Sequence, residues 1–215
     1  MTPFDFWFDP ISPYAYLAFE RLPEALDGLS YSVTYRPILF GALLKHWEHK
    51  GPAEIEPKRA WTFRHVHWLA RRHGVTLLTP REHPFNPLAL LRLAYAAAGP
   101  GGTPNRYICA SLFEHVWRSG DDANDAARLE ALQQRLAPAV DPASESVKQA
   151  LRDATSQALA RGIFGVPTIG VAGRLFWGFD ALDMVAECLR ADSWFDPAGP
   201  WGEAGAPRPG VRRSG

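Results

Sequence analysis

The chain has 215 residues, of which 47% are hydrophobic and 21% charged, a composition typical of a globular protein with a substantial core. Lys and Arg together number 23, as do Asp and Glu, so no net charge favours nucleic acid or a membrane surface as a partner. The first residues lack a basic segment followed by an apolar one, and no apolar run approaches a membrane span. We therefore expect a cytoplasmic protein that binds neither nucleic acid nor membrane.

The first predicted elements are a buried aromatic strand over residues 3–8 and a helix from Pro13 to Asp27. Ser12 stands between them, where serine is a preferred N-cap and the following proline is favoured at the first helical position. The Ser12 hydroxyl either only caps the helix or helps to hold an anion, because the helix dipole and unpaired N–H groups favour negative charge there. Residues 31–35 alternate as a half-buried strand, which predicts a β-α-β unit with parallel strands.

Residues 41–162 show helical periodicity without strand-like alternation. Helices are predicted to begin near Gly41 and to cover residues 58–73, 86–99, 104–119, 125–137 and 144–161. The third of these opens with Asn86, a plausible N-cap, followed by proline. We interpret residues 41–162 as a helical insertion domain within an α/β domain formed by residues 1–40 and 163–192.

The last part of the chain predicts two short strands, 167–171 and 174–177, joined by a two-residue turn as a β-hairpin. Asp180 is predicted to cap a final helix that ends near Arg190. Residues 193–215 are rich in proline and glycine, and we predict a disordered tail.

The residues that could carry chemistry exclude several mechanisms. The two cysteines, Cys109 and Cys188, lie far apart within helical patterns and no C-x-x-C is present, so we expect buried apolar side chains rather than dithiol chemistry. No histidine lies in a motif that places it near Ser12, as nucleophilic catalysis by a serine would require. His65 and His67 are two residues apart on a helix and point to different faces, so we expect no metal site. A hydroxyl at a helix N-terminus is better suited to donating a hydrogen bond to a bound thiolate.

A second stretch, residues 162–171, indicates a helix end, a turn and a strand that begins at Pro167. Proline is tolerated at the start of a strand, and an X-Pro bond there can be cis. A Val-Pro-Thr segment of this kind, together with an N-terminal strand–loop–helix, is the signature of thioredoxin-fold proteins. In that fold the loop before the proline lies beside the N-terminus of the first helix.

The chain resembles the 2-hydroxychromene-2-carboxylate isomerases and kappa-class glutathione transferases, which belong to the broader DsbA-like group. The resemblance rests on residues 8–18, 37–45, 57–58, 84–87, 162–168 and 176–180. It implies an α/β protein with a thioredoxin-like fold and a large all-helical insertion. It also implies glutathione as the cofactor and a homodimeric assembly.

The resemblance also implies roles for particular residues. Ser12 would be the catalytic residue that holds the glutathione sulfur, and backbone at Val166 would pair with the cysteinyl part of glutathione. Asp180 would bind the γ-glutamyl end, although a carboxylate at a helix start can equally be a cap. The implied glutathione-binding set is Ser12, Lys58, Val166, Pro167, Gly178, Phe179 and Asp180. Lys45 and Asn86 align with substrate-binding positions; a helix cap for Asn86 and a solvated side chain for Lys58 are the alternatives.

The implied function is isomerisation of 2-hydroxychromene-2-carboxylate to trans-o-hydroxybenzylidenepyruvate in aromatic catabolism, by reversible addition of the glutathione thiolate. The substrate is then a small aromatic carboxylate. One alternative is a kappa-like glutathione transferase that acts on electrophiles. A second is a redox-inactive DsbA-like binding protein, which the cysteine-free segment from Ser12 to Ala15 allows.

Overall fold

The computed structural model describes residues 1–206, and its centre is a four-stranded mixed sheet in the order β2-β1-β3-β4. The strands are β1 (Thr2–Phe8), β2 (Tyr31–Pro37), β3 (Thr168–Val171) and β4 (Arg174–Trp177). β1 pairs with β2 in parallel and with β3 antiparallel, and β3 and β4 form the predicted hairpin. The predicted β-α-β opening and the α/β fold class are confirmed.

Helices occupy most of the remaining chain. Their bounds are α1 (Pro13–Ala25), α2 (Phe40–His46), α3 (Glu56–Arg72), α4 (Leu88–Ala98), α5 (Arg106–Trp117), α6 (Ala126–Leu136), α7 (Glu145–Ala160), α8 (Leu182–Leu189) and α9 (Pro200–Ala204). Short 3-10 turns cover Pro52–Glu54, Phe179–Ala181 and Ser193–Phe195. The helices predicted between β2 and β3 are present, and their ends lie within about two residues of the predicted ones, as is usual where helices fray. Within residues 1–206, no helix has the length and apolar character that crossing a membrane requires.

The alternation of β1 divides the core between the two faces of the sheet. Phe4, Phe6 and Phe8 join a cluster on one face, and Trp7 belongs to a second cluster on the other, as the period of two in a strand dictates. Phe113 of α5 packs against Phe8 with ring centroids 5.1 Å apart. Because a helix from the stretch 41–162 contributes to the same core cluster as the sheet, the division into two domains stays a prediction.

Two predicted helix caps are wrong. Asp180 is an exposed residue inside the 3-10 turn, and α8 begins after Ala181 without a side-chain cap. The N-cap position of α4 is Pro87 rather than Asn86. The Asn86 side chain still accepts a hydrogen bond from the Leu88 N–H at 3.1 Å. Asn86 lies one residue before the N-cap position and pairs one of the N–H groups that the start of a helix leaves free.

Disorder predicted from residue 193 onward is wrong for residues 193–206. Trp201 of α9 packs on Phe176 of β4 and on Phe195, with ring centroids 5.3 and 5.6 Å apart. Burial of these aromatic rings offsets the cost of ordering a segment rich in proline and glycine. The last part of the predicted tail, residues 207–215, lies outside the described residues.

Candidate functional site

Ser12 forms the N-cap of α1, as predicted. Its Oγ accepts a hydrogen bond from the Ala15 N–H at 3.2 Å, and Pro13 occupies the first helical position. The residue is only 8% exposed. The hydroxyl therefore lies at the positive end of the α1 dipole, among backbone donors at the start of the helix.

The loop before Pro167 meets Ser12 directly. The Ser12 hydroxyl donates to the Val166 carbonyl oxygen at 3.3 Å, across a sequence separation of 154 residues, and the Val166–Pro167 peptide bond is cis. The prediction that this loop lies beside the N-terminus of α1 is confirmed. The hydroxyl's hydrogen bonds go to backbone groups, at Ala15 and Val166, and to no histidine within residues 1–206.

The turn after β4 reaches the same end of the sheet. The Gly178 N–H donates to the Pro167 carbonyl oxygen at 3.0 Å. Gly178 has φ +105, and a Cβ there would overlap the Asp180 carboxylate, so this turn requires glycine. The charge of Asp180 also contributes, after burial, to raising the pKa of Tyr14 on α1. Gly178 and Asp180 are thereby brought to the end of the molecule where Ser12 lies.

An aromatic surface flanks the loop before Val166. Phe164 and Trp177 lie with ring centroids 4.9 Å apart, and both side chains are more than half exposed. The Trp177 indole packs so closely over Gly165 that a Cβ at this position would overlap its nitrogen. The Trp47 indole N–H donates to the Ile163 carbonyl oxygen at 3.1 Å, which ties the end of α2 to this loop.

The remaining predicted site residues lie on flanking helices. Lys45 lies in the last turn of α2, Lys58 in the first turn of α3, and Asn86 just before α4, all exposed. A hydrogen bond of 2.8 Å between Tyr14 and His65 joins α1 to α3. No hydrogen bond or ion pair connects the two lysines or Asn86 to Ser12 in the part of the chain that the structure describes.

Asp9 is a buried acid that sequence reasoning treated only as a break between β1 and α1. It is fully buried, and its carboxylate accepts hydrogen bonds from the Ile11 N–H at 3.0 Å and the Phe40 N–H at 2.9 Å. Burial raises its pKa from 3.8 to about 7, against the opposing effect of these two bonds. The available signal was an acidic residue directly after a strand of buried aromatics, where a lone carboxylate needs hydrogen-bond donors.

The raised pKa of Asp9 predicts how stability changes with pH. The folded protein binds the Asp9 proton more tightly than the unfolded chain does. This difference contributes to the free energy of unfolding; the contribution is greatest below pH 3.8 and is lost as the pH rises to about 7. The loss is about 1.4 kcal/mol per pH unit within this window. We expect the wild-type free energy of unfolding to fall relative to that of Asp9→Asn over this range. Urea denaturation of both proteins at several pH values checks this, and parallel curves would contradict it.

Two further side chains hold the segment that leads to Ser12. His83 donates from Nε2 to the Ile11 carbonyl oxygen at 2.9 Å, and Trp117 of α5 donates from Nε1 to the Pro10 carbonyl oxygen at 2.9 Å. Burial lowers the pKa of His83, which favours the neutral ring. The sequence offered no signal for these contacts, because each joins residues more than seventy positions apart.

The two cysteines, and the histidines His65 and His67, have separate surroundings in the structure. Cys109 is buried and Cys188 partly buried, neither is in a disulfide, and burial raises the pKa of both thiols. His65 bonds to Tyr14, whereas His67 bonds to Thr79. Within residues 1–206, no three His, Cys, Asp or Glu side chains are grouped so that they could hold a metal ion.

The strand–loop–helix with its N-cap serine, facing a cis-proline that precedes β3, defines a thioredoxin-fold protein without a dithiol. Residues 4–190 match the family described as the DSBA-like thioredoxin domain, and the chain belongs to this family.

Relatives support this assignment along most of the chain. It is 28% identical over 192 residues to a 2-hydroxychromene-2-carboxylate isomerase of Sphingobium xenophagum, a match that covers 86% of this chain and 96% of that protein. It is 22% identical over 213 residues to glutathione S-transferase kappa 1 of Rattus norvegicus, with 91% and 94% covered. A solved structure of a 2-hydroxychromene-2-carboxylate isomerase matches with a TM-score of 0.74 at 19% identity, with 95% of this chain and 100% of that chain covered.

Proposed function

We propose that the chain is a glutathione-dependent isomerase that converts 2-hydroxychromene-2-carboxylate to trans-o-hydroxybenzylidenepyruvate. The observation that carries this proposal is the Ser12 hydroxyl at the N-terminus of α1, beside the Val166 carbonyl and with no histidine partner among residues 1–206. A serine without a base is a poor nucleophile, but it is a good donor to a thiolate at the positive end of a helix. The isomerases and kappa-class glutathione transferases among its relatives support a glutathione-related activity.

The contacts of Ser12 suggest how glutathione would enter. The Ser12 hydroxyl donates its hydrogen to the Val166 carbonyl oxygen. The backbone N–H of the cysteinyl part of glutathione would donate to this carbonyl oxygen in place of the Ser12 hydroxyl, as the N–H of a neighbouring β-strand would. The Ser12 hydroxyl would then be free to turn and donate to the sulfur.

The outer parts of glutathione would meet charged groups. The exposed Asp180 carboxylate suits the γ-glutamyl ammonium, with Gly178 and Phe179 shaping the turn that presents it. Lys58 in the first turn of α3 is a cation beside a positive helix end, an arrangement that a bound carboxylate would relieve.

The substrate would be held mainly by α2 and the start of α4. Lys45 suits the substrate carboxylate, and the Asn86 amide suits a ring oxygen. When bound, glutathione supplies a thiolate that adds reversibly to the conjugated substrate and leaves after rotation about the temporarily single bond. The proposal includes a cytoplasmic homodimer with a role in aromatic catabolism, as the resemblance implies.

Product analysis by NMR tests the proposed reaction. With glutathione at a small fraction of the substrate concentration, we expect trans product in many-fold excess over the glutathione present, up to the equilibrium ratio of the two isomers, with glutathione unchanged. Stoichiometric loss of glutathione to a conjugate would instead indicate a kappa-like transferase. No turnover and no binding of glutathione would leave a redox-inactive DsbA-like binding protein.

A further inference from the structure

The buried carboxylate of Asp9 lies at the base of the segment that positions Ser12. The Asp9 carbonyl oxygen accepts from the Ser12 N–H at 3.0 Å, and its side chain binds the Ile11 N–H within the same turn. The other carboxylate oxygen binds the first residue of α2, Phe40. Asp9 therefore joins the loop that carries Ser12 to the helix that carries Lys45.

The surroundings of Asp9 leave its charge uncompensated. Its hydrogen-bond donors are backbone N–H groups, and it forms no ion pair within residues 1–206. From α5, the uncharged Trp117 indole binds the adjacent Pro10 carbonyl. A titratable ring, His83, donates to the Ile11 carbonyl oxygen, and burial lowers its pKa, which favours the uncharged ring. The cation of α2, Lys45, is exposed at the opposite end of that helix.

We propose that Asp9 is a positioning residue whose carboxylate takes up a proton when a thiol ionises beside Ser12. This inference rests on the proposed glutathione site. A thiolate there would be a second negative charge close to a buried one, and like charges in one region do not both ionise readily. The thiol S–H bond breaks, leaves its electron pair on sulfur and gives its proton to the solvent, while an O–H bond forms on Asp9 with a proton taken up from the solvent.

Proton counting by calorimetry distinguishes this coupling from a purely structural role. Glutathione is titrated into wild type and Asp9→Asn near neutral pH, in two buffers that differ in ionisation enthalpy. We expect the variant to release roughly half a proton more per bound glutathione, since about half of the wild-type Asp9 is ionised and free to take one up. A variant that merely distorted the loop would stabilise the thiolate less and release fewer protons.

Two controls belong to this experiment. At about pH 5 the wild-type Asp9 is already protonated, so the difference between the two proteins should disappear. S-methylglutathione has no thiol proton and should release none from either protein. If Asp9→Asn releases as many protons as wild type near neutral pH, or fewer, the proposal for Asp9 is overturned and the proposed function stands. If wild type does not bind glutathione at all, both the proposal for Asp9 and the proposed function are overturned.

A measurement on wild type keeps the proposal testable if Asp9→Asn fails to fold. Asparagine offers only one acceptor oxygen, so one of the N–H groups of Ile11 and Phe40 would face an amide NH₂. We expect the infrared difference spectrum of wild type, glutathione-bound minus free, to show a positive C=O band from a protonated carboxyl group. Labelling of the aspartates with carbon-13 should shift this band. A difference spectrum without it overturns the proposal.

Discussion

Replacement of Ser12 by alanine is expected to slow the glutathione-dependent reaction by about 10- to 100-fold at neutral pH. A hydrogen bond to a charged group contributes about 1.5–3 kcal/mol, and each 1.4 kcal/mol is a factor of ten. Without the hydroxyl, the pKa of the bound thiol should rise toward its free value of about 8.5, so the defect should shrink at higher pH. Steady-state rates and the ultraviolet absorbance of the bound thiolate, both followed against pH, check this.

Ser30→Ala is a suitable control for this variant. Ser30 is exposed, and its side chain forms no hydrogen bond in the part of the chain described. Its replacement should leave the rate and the thiolate absorbance unchanged. If Ser12→Ala had the same reaction rate and the same thiolate absorbance as wild type, Ser12 would not be the residue that donates a hydrogen bond to the thiolate.

Trp117→Ala is expected to lower the free energy of unfolding by about 3–5 kcal/mol, the range for removal of a large buried aromatic. The ring is fully buried, lies nearly parallel to Tyr16 at a centroid distance of 6.4 Å, and donates to the Pro10 carbonyl. Its loss leaves both a cavity and an unpaired carbonyl in the segment that leads to Ser12. Urea denaturation, with the slope checked for constancy, measures the effect.

Trp61→Ala provides the matched control for this substitution. Trp61 is 65% exposed on α3, so its removal should change stability by no more than about 0.5 kcal/mol. Trp117→Phe separates the two effects, since it keeps most of the ring volume and loses only the N–H donor. A Trp117→Ala protein as stable as Trp61→Ala would show that this ring does not hold the core together.

Local patterns in the sequence predicted most of the fold. The aromatic alternation of β1 and the Ser-Pro start of α1 each have one strong physical interpretation, and the structure confirms both. The predicted β-hairpin is also confirmed, although its first strand begins at Thr168, one residue after the proline expected to open it. The caps at Asn86 and Asp180 were wrong because a cap depends on where the first helical turn closes, which shifts by one or two residues without a change in composition.

The tail shows the limit of arguments from composition. Residues 193–206 contain Trp194, Phe195 and Trp201 among prolines and glycines, and these three rings pack together. A few large aromatics can order a short segment when a partner surface such as β4 is available. Whether such a surface exists is a property of the folded sheet rather than of the segment.

The site was predictable only in part, for a similar reason. The approach of the loop before Pro167 to the N-terminus of α1 follows from the fold that the two motifs define, and the hydrogen bond between Ser12 and Val166 confirms it. The contacts of His83 and Trp117 with the Ile11 and Pro10 carbonyls depend on which side chains distant segments bring to this loop. No motif encodes that arrangement, so these two residues could be found only from the structure.

Calorimetric titration of the wild-type protein with glutathione, beside S-methylglutathione, tests the central claim most directly. The proposed thiolate site predicts saturable binding of glutathione that weakens clearly when the sulfur is methylated, because the charge that α1 and Ser12 stabilise is then absent. Absence of binding at millimolar glutathione, or equal affinity for both peptides, would contradict a thiolate site at Ser12.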